Sequence, residues 1–178
     1  MKTIRDIDQL ENSQSILEGY KFQPILTEKL DQTQSNFDQD IINEIVLWKV
    51  NRYAQLTDEC FRLINNIDRT RPEIDEDLTR KILSNLLSTN GVRLAMASTI
   101  LRFKAPNIYQ IYDQRVFRYI YGIPASNTTI KEKQIENYLK YLKDLRTKCV
   151  EAKIDFNTAD RVLYQADKIQ NKSIPIKY

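Results

Sequence analysis

Residues 89–118 read TNGVRLAMASTILRFKAPNIYQIYDQRVFR, and this stretch holds the strongest signals for both fold and chemistry. Gly91 is one of three glycines in a chain of 178 residues, and apolar residues recur at helical spacing on both sides of it. We predict a helix that ends near Leu87, a tight turn over residues 90–92 and a second helix from near Leu94. Glycine suits such a turn because it tolerates a positive φ or a close backbone contact. The small residues Ala95, Ala97 and Ser98 are expected to let the two helices approach closely.

The same recurrence of apolar side chains at three and four residues runs along the whole chain, without the period-two alternation of a strand. We therefore predict an all-α fold, in one compact domain of residues 1–178 with the option of two helical lobes. Further helices are predicted over residues 4–17, 35–50, 57–64, 72–86, 129–145 and 157–166, from capping signals and apolar stripes. One stripe, behind a capping box at residues 129–132, is expected to face the core: Ile135, Tyr138, Leu139, Leu142 and Leu145.

The composition excludes several classes of active site. The chain has no histidine and two cysteines, so it lacks a Ser-His-Asp triad, a Cys-His dyad, a histidine metal ligand and the ligands for an iron–sulfur cluster. We expect no metal and no cofactor, and we expect Cys60 and Cys149 to be reduced thiols in the core. Residues 1–8 lack the apolar core of a signal peptide, and no apolar run is long enough to span a membrane, so a cytoplasmic location is expected.

Charge is distributed unevenly, although the net charge is only +3. Residues 1–44 are acidic on balance, whereas residues 80–118 are strongly basic and contain a single acidic side chain, Asp113. A basic segment of this kind fits a surface that meets a polyanion. A solvated helix face is the alternative for either segment taken alone.

In the order and spacing of these parts, residues 80–122 resemble the helix-hairpin-helix superfamily of DNA glycosylases, as a compact member without an iron–sulfur cluster. The family signature has a hairpin of the Leu-Pro-Gly-Val-Gly kind, a Gly/Pro-rich loop, and an Asp before a helix that reads roughly Asp-x-x-aliphatic-x-Arg. Here residues 87–92 match the hairpin, residues 106–107 match the loop, and residues 113–118, DQRVFR, match the Asp and its helix.

The resemblance implies that a target nucleotide is flipped out of the duplex into a cleft, where Asp113 stabilises an oxocarbenium-like sugar and orients water. From the residues alone, Asp113 is also a good plain helix N-cap. The resemblance further implies DNA contacts in and around the hairpin: Asn90, Gly91, Val92, Arg93, Ala95, Lys104 and Arg115.

An early helix of family members fills the space left by the flipped base. The residues that would do so here are Trp48, Lys49, Asn51 and Arg52. In the alternative interpretation, Trp48 is a core residue and the other three are solvated.

Two positions depart from the family pattern. Arg93 stands where a second hairpin glycine is usual, which adds a cation for phosphate contact. Ala95 stands where bifunctional members carry a Schiff-base lysine, which implies a monofunctional enzyme without a lyase step. The expected partner is double-stranded DNA with a modified or damaged base, and the expected state is a monomer.

Two other functions stay open at this stage. One is a non-enzymatic helix-hairpin-helix module that only binds DNA, and the other is a helical protein-interaction domain. No residue pattern selects the base, or chooses between repair and defence against foreign modified DNA.

Overall fold

The computed structural model describes residues 17–34, 36–51, 53–126 and 128–176. Within these residues the chain is all-α, without strands, which confirms the predicted fold class. The α-helices are α1 (Pro24–Asp31), α2 (Gln39–Lys49), α3 (Asp58–Asn65), α4 (Glu76–Ser88), α5 (Leu94–Lys104), α6 (Gln114–Tyr121), α7 (Lys131–Ala152) and α8 (Ala159–Gln170), and a 3₁₀ turn, Phe156–Thr158, precedes α8. None of these helices has both the length and the apolar character needed to cross a membrane.

The chain divides into two compact units at the bond between Tyr53 and Ala54. Unit 1 contains α1 and α2, and unit 2 contains α3 to α8. The assignment of residues 1–178 to one domain, and that of two lobes around a cleft, stay predictions.

Unit 1 contains one helix that the sequence did not predict. This helix, α1, begins at Pro24, and proline suits a first helical residue because its missing N–H needs no partner there. The second helix, α2, lies within the predicted range 35–50 but begins later than predicted, at Gln39, because the N-cap is Asp38, which accepts a hydrogen bond from Ile41 N at 2.9 Å. Except for Leu17, the helix predicted over residues 4–17 lies outside the described residues.

The core of unit 2 is apolar and is shared by several helices. Leu83 of α4, Leu101 of α5 and Leu145 of α7 are fully buried, and each such side chain stabilises the fold by about 1.5–3 kcal/mol relative to an exposed one. All five residues of the predicted stripe on α7 are buried, as expected. The thiols of Cys60 and Cys149 are also buried and free, as predicted.

The first two helix starts of unit 2 are each set by one polar side chain. Thr57 caps α3 as predicted, since its hydroxyl accepts from Cys60 N at 3.2 Å. The start predicted at Pro72 is wrong, because α4 begins at Glu76 behind the N-cap Asp75. Several acidic residues follow Pro72 in the sequence, and the local pattern does not reveal which of their side chains accepts a hydrogen bond from the first turn of the helix.

Two later helix starts also differ from the predictions. The capping box at residues 129–132 does not form, because α7 begins at Lys131 behind Ile130, whose side chain cannot accept a hydrogen bond. The last helix begins at Ala159, after the 3₁₀ turn, and not behind a cap at Asn157.

Candidate nucleic-acid interface and carboxylate site

A tight turn joins α4 to α5 at the position predicted for the hairpin. Ser88 ends α4, Leu94 begins α5, and Val92 N donates to Thr89 O at 3.1 Å within the turn. Gly91 has a φ of 81°, and a Cβ added to it would meet no atom within 4 Å. Glycine is therefore needed here for its backbone conformation and not for the close approach of another group.

The start of α5 is open. Its N-cap residue, Arg93, has an extended backbone and an exposed side chain, and no side chain in the described part of the chain caps the first turn. Asn90 and Ala95 beside it are exposed as well. Because a helix leaves its first N–H groups unpaired and carries a positive partial charge at that end, this position can bind an anion.

The small residues of α5 divide into two groups. Ala97 and Ser98 are fully buried, as expected for residues at a close helix contact. Ala95 is exposed, so its predicted place in that contact is wrong. Val92 is only 5% exposed, so a contact between Val92 and DNA would have to involve its backbone.

Asp113 is the N-cap of α6. Its Oδ1 accepts hydrogen bonds from Arg115 N at 2.7 Å and Val116 N at 3.3 Å. The side chain is half-buried, and among the described residues no group donates to Oδ2. One carboxylate oxygen thus caps the helix while the other is left for a further interaction, so the cap and a chemical role are compatible.

The loop before Asp113 is tied to the second turn of α5. Tyr112 N donates to the buried Ser98 Oγ at 2.9 Å, and Ser98 Oγ donates in turn to Ala95 O at 2.9 Å. Ser98 lies four residues after Leu94, the first residue of α5. The carboxylate is therefore brought close to the end of α5 that carries the turn, although 22 residues separate Gly91 from Asp113 in the sequence.

Tertiary contacts neutralise much of the basic segment. Four of its cations pair with carboxylates of α7 and α8: Arg80 with Glu136, Arg102 with Asp160, and both Arg115 and Arg118 with Asp167. The basic face is therefore smaller than the sequence suggests. Arg115, predicted to contact DNA, lies in an internal ion pair.

Asp167 is the centre of one such cluster. Its side chain is fully buried, and it accepts from Arg118 Nη2 at 2.7 Å, Arg115 Nη1 at 3.1 Å and Asn171 Nδ2 at 2.8 Å. Burial alone would raise the pKa of the Asp167 carboxyl, but the hydrogen bonds from Arg118, Asn171 and Arg115 outweigh it and lower the pKa. The cluster holds α6 against α8.

Lys104 lies at the end of α5 away from the turn. The helix has 11 residues, so at about 1.5 Å per residue Lys104 is roughly 16 Å from the turn. Its Nζ donates to Asn65 Oδ1 of α3 at 2.8 Å. The sequence-based grouping of Lys104 with the turn is therefore corrected, and Arg93 is the predicted cation that lies beside the turn.

The candidate residues of the early helix belong to unit 1. Trp48 is half-buried, its Nε1 donates to Thr27 Oγ1 at 2.8 Å, and its ring packs edge-on to Phe22 at 5.1 Å between centroids. Lys49 is exposed. Asn51, with a positive φ, follows the helix and accepts from Gln23 Nε2.

Arg52 lies outside the described residues, and nothing in unit 1 tests a role in DNA binding. That role stays a prediction for all four positions, Trp48, Lys49, Asn51 and Arg52.

Sequence reasoning missed the residues that support Asp113. Ser98 was noted only for its small size, and Tyr141 and Asp167 were not noted at all. Tyrosine at buried positions of an apolar stripe, in place of phenylalanine, is the signal that could have pointed to a buried hydrogen-bond acceptor.

Neither a protein-family model nor a curated protein nor a solved structure matches this chain.

Proposed function

We propose that this chain is a monofunctional DNA glycosylase, which hydrolyses the N-glycosidic bond of a modified or damaged base in duplex DNA and leaves an abasic site. The observation that carries the proposal is the arrangement of Asp113, whose Oδ1 is fixed by two backbone N–H groups while no described group donates to Oδ2. The proposed enzyme acts in the cytoplasm, as a monomer and without a cofactor.

The proposed reaction needs only a fixed carboxylate and water. The flipped nucleotide places its C1′ against Oδ2 of Asp113, and positive charge develops on the sugar as the glycosidic bond stretches. A preorganised carboxylate stabilises that charge. The base leaves with the electron pair of the bond, water adds to C1′, and the proton released by the water ends on the base or in solvent.

The start of α5 supplies the DNA contact in this proposal. A phosphate oxygen accepts from the open N–H groups behind Arg93, and the exposed guanidinium adds a charge contact. Such contacts hold the duplex without selecting a sequence. Arg115 has no part in this contact, because its charge is taken by Asp167.

Hydrolysis without strand cleavage is proposed because Ala95 offers no amine where the resemblance places a Schiff-base lysine. Ala95 is exposed at the second residue of α5. Another amine lies near the turn, since Lys131 Nζ donates to the hydroxyl of Ser88, the last residue of α4, at 2.9 Å. Lys131 is therefore the residue to test if a lyase step is found.

The second candidate function is a DNA-binding module without catalysis. It is favoured by the same bonds to Oδ1 of Asp113, because a plain N-cap makes such bonds whether or not it has a chemical role. The two functions differ in one product, the abasic site.

The experiment is a panel of duplexes, each with one modified base, together with genomic DNA that bears unusual bases. Abasic sites are counted as strand breaks after alkali treatment, and we expect them with at least one substrate while strands stay intact in neutral buffer. A borohydride-trapped adduct that is lost in Lys131→Met would reassign the enzyme as bifunctional. Salt-dependent duplex binding without abasic sites from any substrate would support the module instead.

A further inference from the structure

Three buried hydroxyl groups hold the three residues that precede Asp113. The bonds are Tyr138 Oη to Gln110 O (2.9 Å), Tyr141 Oη to Ile111 O (2.7 Å) and Tyr112 N to Ser98 Oγ (2.9 Å). Two of the hydroxyls come from α7 and one comes from α5. The loop is thus held from two sides immediately before the carboxylate.

The bond made by Tyr141 acts most directly on Asp113. The carbonyl oxygen of Ile111 accepts from Tyr141 Oη and also from Asp113 N, the latter at 3.0 Å. The backbone of Asp113 is therefore fixed through a single oxygen atom that Tyr141 holds in place. Beyond it, Oδ1 caps α6, so both the backbone and the side chain of Asp113 are restrained.

Burial indicates that these hydroxyls have a purpose beyond filling space. The side chains of Tyr138, Tyr141 and Ser98 are fully buried, and a buried hydroxyl is costly unless it is hydrogen-bonded. Phenylalanine and alanine would occupy the same positions without needing a partner. The rings of Tyr138 and Tyr141 also pack edge-on to Tyr112, with centroids 6.3 and 5.2 Å away.

Both tyrosines keep their protons at neutral pH. Burial raises the pKa of Tyr138 and of Tyr141 well above the usual value. Their hydroxyls therefore stay neutral donors to the loop carbonyls.

We infer that Tyr141 is a positioning residue for Asp113, supported by Tyr138 and Ser98. The inference rests on the proposed glycosylase function, because positioning matters only if Oδ2 of Asp113 meets a reacting atom. Catalytic groups must be held to within about 0.5 Å, and a misplacement of about 1 Å can lower a rate about a hundredfold. Loss of the Tyr141 hydroxyl frees the Ile111 carbonyl and lets Asp113 shift.

The test compares Tyr141→Phe with Tyr121→Phe. Tyr121 lies on α6, and its hydroxyl donates to Asp144 Oδ2 at 2.7 Å and not to a loop carbonyl, so this variant controls for the loss of a tyrosine hydroxyl. In Tyr141→Phe we expect single-turnover base release to fall about tenfold or more while the Kd for the same duplex is unchanged. We expect both quantities to stay at the wild-type level in Tyr121→Phe.

A second readout does not depend on catalysis. Amide hydrogen exchange at Asp113, whose N–H bonds to the Ile111 carbonyl, should be faster in Tyr141→Phe and unchanged in Tyr121→Phe. If the wild type releases no base, the proposed function fails, and faster exchange at Asp113 still supports the positioning.

Wild-type exchange at Asp113 in Tyr141→Phe would overturn the inference. So would base release at the wild-type rate from an active protein, or equal losses in both variants. If Tyr141→Phe does not fold, Ser98→Ala removes the acceptor for Tyr112 N and is expected to give the same slower release and unchanged Kd, and wild-type release from it would count against the inference.

Discussion

The starts of α5 and α6 are two helix N-termini of the same unit that are built in opposite ways. At α6 the carboxylate of Asp113 accepts from N–H groups of the first turn. At α5 the N-cap is Arg93, with no side-chain acceptor. Both helix ends attract negative charge. At α6 that charge comes from a carboxylate of the chain itself, and at α5 no side chain among the described residues supplies it.

The arginines of α6 and the arginine at the start of α5 also differ, in whether a carboxylate of the chain pairs with them. Arg115 and Arg118 of α6 turn inward and share the buried Asp167. Arg93 at the start of α5 is exposed, and no ion pair joins it to the described residues. Positive charge is thus paired with a buried carboxylate at α6, whereas at the start of α5 the charge of Arg93 has no carboxylate partner among the described residues.

The largest expected effect is a loss of base release in the variant Asp113→Asn. Asparagine keeps the shape and the cap but removes the charge, so we expect release to fall about a hundred- to a thousandfold, as when a preorganised electrostatic group is lost, while duplex binding persists. The measurement is single-turnover release beside a binding titration. Asp75→Asn makes the same change at the N-cap of α4 and should leave release unchanged; if the two variants behave alike, Asp113 is only a cap.

The next effect is on stability and concerns how α6 is held. In Asp167→Asn two guanidiniums lose their buried counter-charge, and we expect the free energy of unfolding at pH 7 to fall by about 3 kcal/mol. Denaturant titrations measure this, with the exposed Asp77→Asn of α4 as the control. A loss below about 0.5 kcal/mol, typical of surface substitutions, would show that the cluster does not anchor α6.

The same variant has a pH signature. The pKa of Asp167 is lowered in the folded protein. Its carboxylate therefore stabilises the fold fully above the pKa of an unfolded aspartate, about 3.9, and this stabilisation is lost as the pH falls through the lower pKa of the folded state. The stability difference between wild type and Asp167→Asn should therefore be constant from about pH 5 to 8 and shrink below about pH 4. A difference that grows in acid would contradict the assignment.

A smaller effect is expected when α5 is given the kind of start that α6 has. Arg93→Asp places a capping carboxylate at an open helix end, so stability should rise by about 0.5–1 kcal/mol. Duplex affinity should fall about tenfold, because a phosphate contact becomes a repulsion. Arg93→Ala is the control, since it removes the cation without adding a cap; a rise in stability with unchanged affinity in Arg93→Asp would mean that this helix end does not meet DNA.

The smallest effect is on the salt dependence of binding. Removing one phosphate contact should make the plot of log K against log salt less steep by about 1, and we expect this for Arg93→Ala. Lys104→Ala, which removes a cation at the far end of α5, should change the slope less. A larger change of slope in Lys104→Ala than in Arg93→Ala would show that the DNA contact lies at the other end of the helix.

Much of the fold followed from local pattern. The helical class, the turn at Gly91 and the buried stripe of α7 were predicted because periodicity and turn chemistry act over a few residues. The position of Asp113 before a helix was predicted for the same reason. Helix α1 was missed because its eight residues offer a weak periodic signal, and its only buried residue is Leu26.

The sequence by itself determined that this chain is helical, that a turn stands at Gly91 and that a carboxylate opens the helix after it, because these are local properties. Only the tertiary structure decided which cations remain outside and what holds Asp113. Arg118 and Asp167 are 49 residues apart, and the Tyr141 hydroxyl and the Ile111 carbonyl are 30 residues apart. Such pairs depend on how helices pack, and residue spacing along the chain carries no information about them.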